Sequence, residues 1–290
     1  MERLVKVFPP VYEQAQDAHV KPADCRDVAS AMHPGKRPAR SGRVKGTKTA
    51  MRAILQPFSH FTSFVRTAML LGVLVSLVLI AFAATGVDSP LGMSGGSGYV
   101  VEAALPLLAY GLISYWVPTL RVMQHGSALQ AGTFFGIIGG IIQVMQLASE
   151  NFGGRIGENA SVTLAFMLSA FLIWGVAGYW VTRKSDEINA GLVASCWSAM
   201  VSVLMAVTFG LVLMTANFPS PAYVATWSEF KRSGWSNVHA FAIANSLEAV
   251  LSHLVIGPVV GTIFGILGVG IARLLPGRNA FSRFPSNPDI

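Results

Sequence analysis

AFAIANSLEAVLSHLVIGPVVGTIFGILGVGIARLL, residues Ala240–Leu275, decides the fold. Its only charged residues are Glu248 and Arg273, and an apolar run of this length belongs in a bilayer as helix. As one α-helix at about 1.5 Å per residue it would reach roughly 54 Å, well beyond a hydrocarbon core of roughly 30 Å, so part of it must project or bend. The pair Gly257-Pro258 predicts a break in the middle. The first half then carries Asn245, Glu248, Ser252 and His253, and the second half is GPVVGTIFGILGVGIARLL.

Working outward from this stretch, five more apolar runs precede it, at about 67–86, 99–120, 129–148, 161–182 and 191–215, each long enough to span. The expected fold is therefore all-α: a polytopic integral membrane protein with a six-helix domain over 61–275. Composition agrees, because 52% of the 290 residues are hydrophobic and only 12% are charged, about half the charged fraction of soluble domains. A net charge of +7 does not point to nucleic acid, since 11 of the 21 Lys and Arg residues lie before residue 53 and outside the apolar runs. Cys25 and Cys196 offer neither a disulfide framework nor metal-ligand spacing, and no cofactor is expected.

Residues 1–60 read as a disordered basic arm, interrupted by Pro9-Pro10, Pro22, Pro34-Gly35 and Pro38. Seven basic residues between Lys36 and Arg52 predict attraction to anionic lipid headgroups, at about 1 kcal/mol for each one near the surface. If the arm is cytoplasmic, eighteen Lys and Arg fall on the inner side and three (Arg155, Lys231, Arg232) on the outer, which predicts an N-in, C-in chain with 276–290 as a cytoplasmic tail. The expected location is a cell's inner or plasma membrane.

Two of the outer connections, 87–98 and 151–159, read as flexible or turn-like. In the third, Tyr223, Trp227 and Phe230 recur at i, i+4, i+7 beside Lys231 and Arg232, which predicts one helix lying in the membrane interface.

Glycines recur every fourth residue in the third run (Gly132, Gly136, Gly140) and the sixth (Gly257, Gly261, Gly265), giving each helix a flat stripe for close packing. The expected partner is the other stripe, or a neighbouring subunit in a homo-oligomer. GTFFGIIG (Gly132–Gly139) and GTIFGILG (Gly261–Gly268) share six of eight residues. With the third run pointing outward and the sixth inward, that likeness would make a 3+3 inverted repeat, an architecture of secondary transporters.

Polar groups inside spans face the bundle interior by default, so they are the candidates for function. Asn245, Glu248 and Ser252 lie within about 60° of one another on a helical wheel, and His253 lies about 80° from Asn245. Gln143 and Gln146 share a face of the third run, and Glu102 precedes Pro106, where a weakened helix would bare carbonyls. Carboxylates on the outer side predict an acidic vestibule. No zincin motif, paired aspartates or sheltered serine nucleophile is present, so an enzyme is not expected. Two functional classes follow: a small-solute or ion permease whose polar residues share one cavity, or a membrane scaffold that shows its glycine stripes or aromatic loop to another protein.

Overall fold

The computed structural model describes residues 47–86, 88–93, 95–120, 123, 128–152, 160–216 and 219–275. Among these residues every regular element is helical. Six helices are long and apolar enough to cross a membrane, and the chain is a multi-pass membrane protein. They are α1 (Thr47–Thr85), α2 (Gly96–Trp116), α3 (Ala128–Phe152), α4 (Ala160–Ser185), α5 (Ile188–Thr215) and α6 (Val238–Leu274). The arm up to residue 46, most of the Lys36–Arg52 cluster and the tail 276–290 lie outside the described residues.

The first helix corrects the expected arm. It begins at Thr47, not near residue 61, because Ala50, Met51, Arg52, Ala53 and Leu55 are good helix formers that prolong the apolar helix outward. The sixth corrects the expected break: α6 runs unbroken through Pro258 for 37 residues. Packing on neighbouring helices holds the geometry that proline weakens, as membrane bundles commonly allow. For the same reason α2 continues through Pro106.

At the centre stands α5. In its apolar stretch 67% of residues are buried, against 17–44% for the other five helices. Small residues (Ala190, Gly191, Ala194, Ser195, Ser198, Ala199, Ser202) cover one half of its circumference, so neighbouring helices can lie close there, and larger buried residues such as Met200, Leu204, Val207 and Leu211 cover the other. α3, α4 and α6 pack around α5, and α4 packs against both α3 and α6, while α1 and α2 form a looser pair set against α5 and α6.

Both glycine stripes face α5, not each other. A Cβ on Gly136 would lie 2.7 Å from Val201 Cβ, and one on Gly132 would lie 2.8 Å from the Ala194 carbonyl. From the other side, a Cβ on Gly265 would lie 2.8 Å from Ser195 Cβ, and Gly261 and Gly257 face Ala199 and Val203. Both stripes thus find their partner within the chain and supply no argument for a second subunit. Gly175 and Gly178 bring α4 against Phe264 and Gly265 of α6, a contact the spacing of the sequence did not announce. Polar ties fasten the same layer. Ser195 Oγ lies 2.7 Å from the Trp174 carbonyl and 2.8 Å from the Gly261 carbonyl, linking α5 to α4 and α6. Trp197 Nε1–H donates to Thr133 Oγ1 at 3.0 Å, linking α5 to α3.

The packing does not repeat as a 3+3 architecture requires. α5 and α6 pack along each other, whereas the equivalent pair, α2 and α3, has at most marginal contact. Both glycine segments approach α5 closely.

The 217–239 connection is two short helices, Pro221–Val224 and Ser228–Ser233, in place of the single interfacial helix. Trp227 is the N-cap of the second, with extended backbone, and this breaks the i, i+4, i+7 face. The rings still gather: Tyr223 meets Trp227 edge-on, and Phe230, Trp235, Phe241 and Tyr99 form a chain of edge contacts at 5.4–6.2 Å. Asn237 caps α6 and also donates to Asp88 Oδ1 at 3.1 Å, with His239 4.0 Å from the same carboxylate. The connection therefore folds onto the starts of α2 and α6.

Candidate functional site

The glycine contacts hold the core helices together toward the Ser185 and Arg273 end. Toward the Asn151 and Pro219 end the side chains grow larger and two cavities open. The inner cavity, of about 190 Å³, is walled by Gln143, Gln146 and Leu147 of α3, Met167, Phe171 and Trp174 of α4, Val203 and Ala206 of α5, and Ser252, His253, Ile256, Gly257 and Val260 of α6. A second cavity of about 130 Å³ lies further toward the same end, between Leu147, Asn151, Ala206, Gly210, Pro219, Ser246, Ala249 and His253. Leu147, Ala206 and His253 border both, so these three form the partition between an outer and an inner chamber.

Four candidates from the sequence thus meet in one place: Gln143, Gln146, Ser252 and His253. The first pair lies one turn apart on α3, and the second pair occupies adjacent positions on α6. Gln146 Nε2 donates to Glu150 Oε1 at 3.1 Å, and Thr163 Oγ1 of α4 donates to the same oxygen at 3.2 Å, so Glu150 fixes the amide and ties α3 to α4. His253 Nδ1 lies 2.8 Å from the Ala249 carbonyl, a contact only a protonated Nδ1 can make as a hydrogen bond. The neutral ring then keeps its Nε2 lone pair as an acceptor. Two further wall residues carry buried hydrogen-bonding atoms with no partner among the described residues, the acceptor Gln143 Oε1 and the donor Trp174 Nε1.

The other three candidates stand apart. Glu248, five residues before His253, points about 140° from it at 100° per residue and is exposed. Asn245 is exposed two turns nearer the helix start, and Glu102 is exposed on α2, which does not wall the cavity. The acids expected to form a vestibule are engaged elsewhere: Asp88 with Asn237 and His239, Glu150 with Gln146 and Thr163, and Glu229 with Ser228 and Arg232. Glu158 lies outside the described residues. Among the described residues no three His, Cys, Asp or Glu side chains are grouped to hold a metal ion.

Reading the sequence missed Glu150 as the group that orients Gln146, although i, i+4 spacing on one helix announces it. It also missed the aromatic wall of Phe171 and Trp174, whose rings lie 5.2 Å apart, since nothing in an apolar run marks which rings border a cavity. No protein-family model, curated protein or solved structure matches this chain.

Proposed function

We propose that the chain is a permease for small solutes and that its binding site is the inner cavity between α3, α4, α5 and α6. One observation carries this reading: four polar side chains from two different spans converge on a single cavity with a second chamber beyond it. Polar groups in a span are costly, and their gathering around one space is what solute binding would require. The walls offer amides, a hydroxyl, an imidazole and aromatic faces without a carboxylate, which favours a small neutral solute over the cation of the acidic-vestibule idea. Catalysis forms no part of this reading. The scaffold alternative is weakened, because the glycine stripes and most of the aromatic loop, its two display surfaces, are occupied within the chain.

In this reading the protein sits N-in and C-in in an inner or plasma membrane, with the Asn151 and Pro219 end outward and the Lys36–Arg52 cluster against anionic lipid. The eighteen-to-three asymmetry of basic residues supports that orientation. Cysteines placed at Ser94 and Ser236 should then react with an impermeant thiol reagent in intact cells, and one at Ser185 should not.

Flux can be measured before the substrate is known. Vesicles containing the purified protein should swell faster than protein-free vesicles in one or more of a panel of small neutral solutes (urea, glycerol, short amides). No acceleration by any of them, with recovery of a stable membrane partner, would favour the scaffold.

A further inference from the structure

At the opposite end of the bundle, a groove of about 340 Å³ lies between the first turns of α3 and the last turns of α4. Gln130, Ala131, Phe134 and Phe135 line it from α3, and Trp180 and Lys184 from α4. Lys184 is the only cation among the described residues that line it. Among the described residues it makes no hydrogen bond or ion pair, whereas the bases around it are engaged: Arg183 donates to the Leu275 carbonyl at 2.9 Å, and Arg273 pairs with Asp186 at 3.0 Å. Trp180 stands one turn before Lys184 on the same face of α4, and it and Phe134 are more than half exposed. The groove is therefore amphiphilic, with a cation and an amide at the helix ends and aromatic surface running inward along the spans.

We infer that this groove binds one anionic phospholipid. Lys184 at the end of a span keeps its ammonium in the headgroup layer, while its stem and Trp180 lie at the depth where such side chains settle. A lipid phosphate there meets the ammonium and an N–H of the Gln130 amide, and an acyl chain lies over Phe134 and Trp180. A zwitterionic lipid brings the same phosphate together with a cation, which cancels the attraction to Lys184. The site is built from residues of α3 and α4 and is independent of what passes the inner cavity.

Native mass spectrometry of the full chain in detergent, with phosphatidylglycerol, phosphatidylcholine or inorganic phosphate added, tests this. The parent should retain phosphatidylglycerol over phosphatidylcholine. Lys184→Ala should cut phosphatidylglycerol retention about fivefold, as the loss of one basic contact implies, and leave phosphatidylcholine unchanged. Lys184→Arg should keep the preference, and Trp180→Ala should weaken both lipids. Undiminished phosphatidylglycerol retention by Lys184→Ala would overturn the assignment, as would inorganic phosphate that displaces the lipid at equal concentration.

Discussion

The core helices hold two unlike halves. Toward Ser185 and Arg273, glycines let α3 and α6 touch α5 and let α4 touch α6, so closely that a Cβ on Gly136 or Gly265 would lie 2.7–2.8 Å from an α5 side chain. Toward Asn151 and Pro219, the same helices carry Gln143, Gln146, Phe171 and His253 and border the two partly open chambers. The size of the side chains sets the separation of the helices, so a close-packed half can brace an open one. Without hydrophobic attraction between helices in lipid, the fit of the tight half carries much of the bundle's stability, and the open half is free to hold a site.

The largest expected effect is in the tight half. Gly261→Ala places a Cβ against Ala199 and should cost about 1–3 kcal/mol through overpacking. Gly136→Leu and Gly265→Leu should cost more and sharply lower the amount of folded protein in the membrane. Gly270 has nothing within 4 Å of its Cβ position, so Gly270→Ala should melt like the parent in detergent. If Gly261→Ala and Gly270→Ala melt alike, the difference between the halves has been misread.

Filling the open half should separate stability from flux. Ala206 borders both chambers, so Ala206→Leu should abolish accelerated vesicle swelling while the protein still accumulates and melts near the parent temperature. A flux equal to the parent's would show that solute does not pass the partition. Smaller losses should follow from Gln146→Ala and His253→Ala, each about fivefold in flux if one hydrogen bond worth about 1 kcal/mol is lost. Glu150→Ala should resemble Gln146→Ala, because it removes the acceptor that holds the amide. The smallest effect belongs to the surface: Arg273→Ala breaks an exposed pair and should change stability by about 0–1 kcal/mol.

Apolar run length made the six spans legible, with ends within a few residues except at α1. Glycine spacing announced close packing but not its partner, because a stripe marks a face and says nothing of what meets it. Small residues recur every fourth position along one half of α5 (Ala190, Ala194, Ser198, Ser202 and Gly191, Ser195, Ala199), a period that marks close packing on that half and says nothing of the burial of the larger residues opposite. Polarity within an apolar run picked out Gln143, Gln146, Ser252 and His253, which the structure brings to one cavity. It misplaced Glu102, Asn245 and Glu248, since helix rotation and depth depend on neighbours. Proline at 258 would end most soluble helices, and the expectation of a break carried over a rule that packed membrane helices relax.

The claim that the open half is a water-reached solute site can be tested without knowing the solute. In a chain with Cys25 and Cys196 replaced by Ser, single cysteines at Ser252 and His253 are compared with cysteines at Val259 and Ile263, apolar positions of α6 that are exposed and do not border the inner cavity. A small water-soluble thiol reagent applied to membranes should modify the first two and leave the second two intact, because a thiol in hydrocarbon does not ionise. Inert cysteines at Ser252 and His253, or equal labelling of all four, would contradict the account.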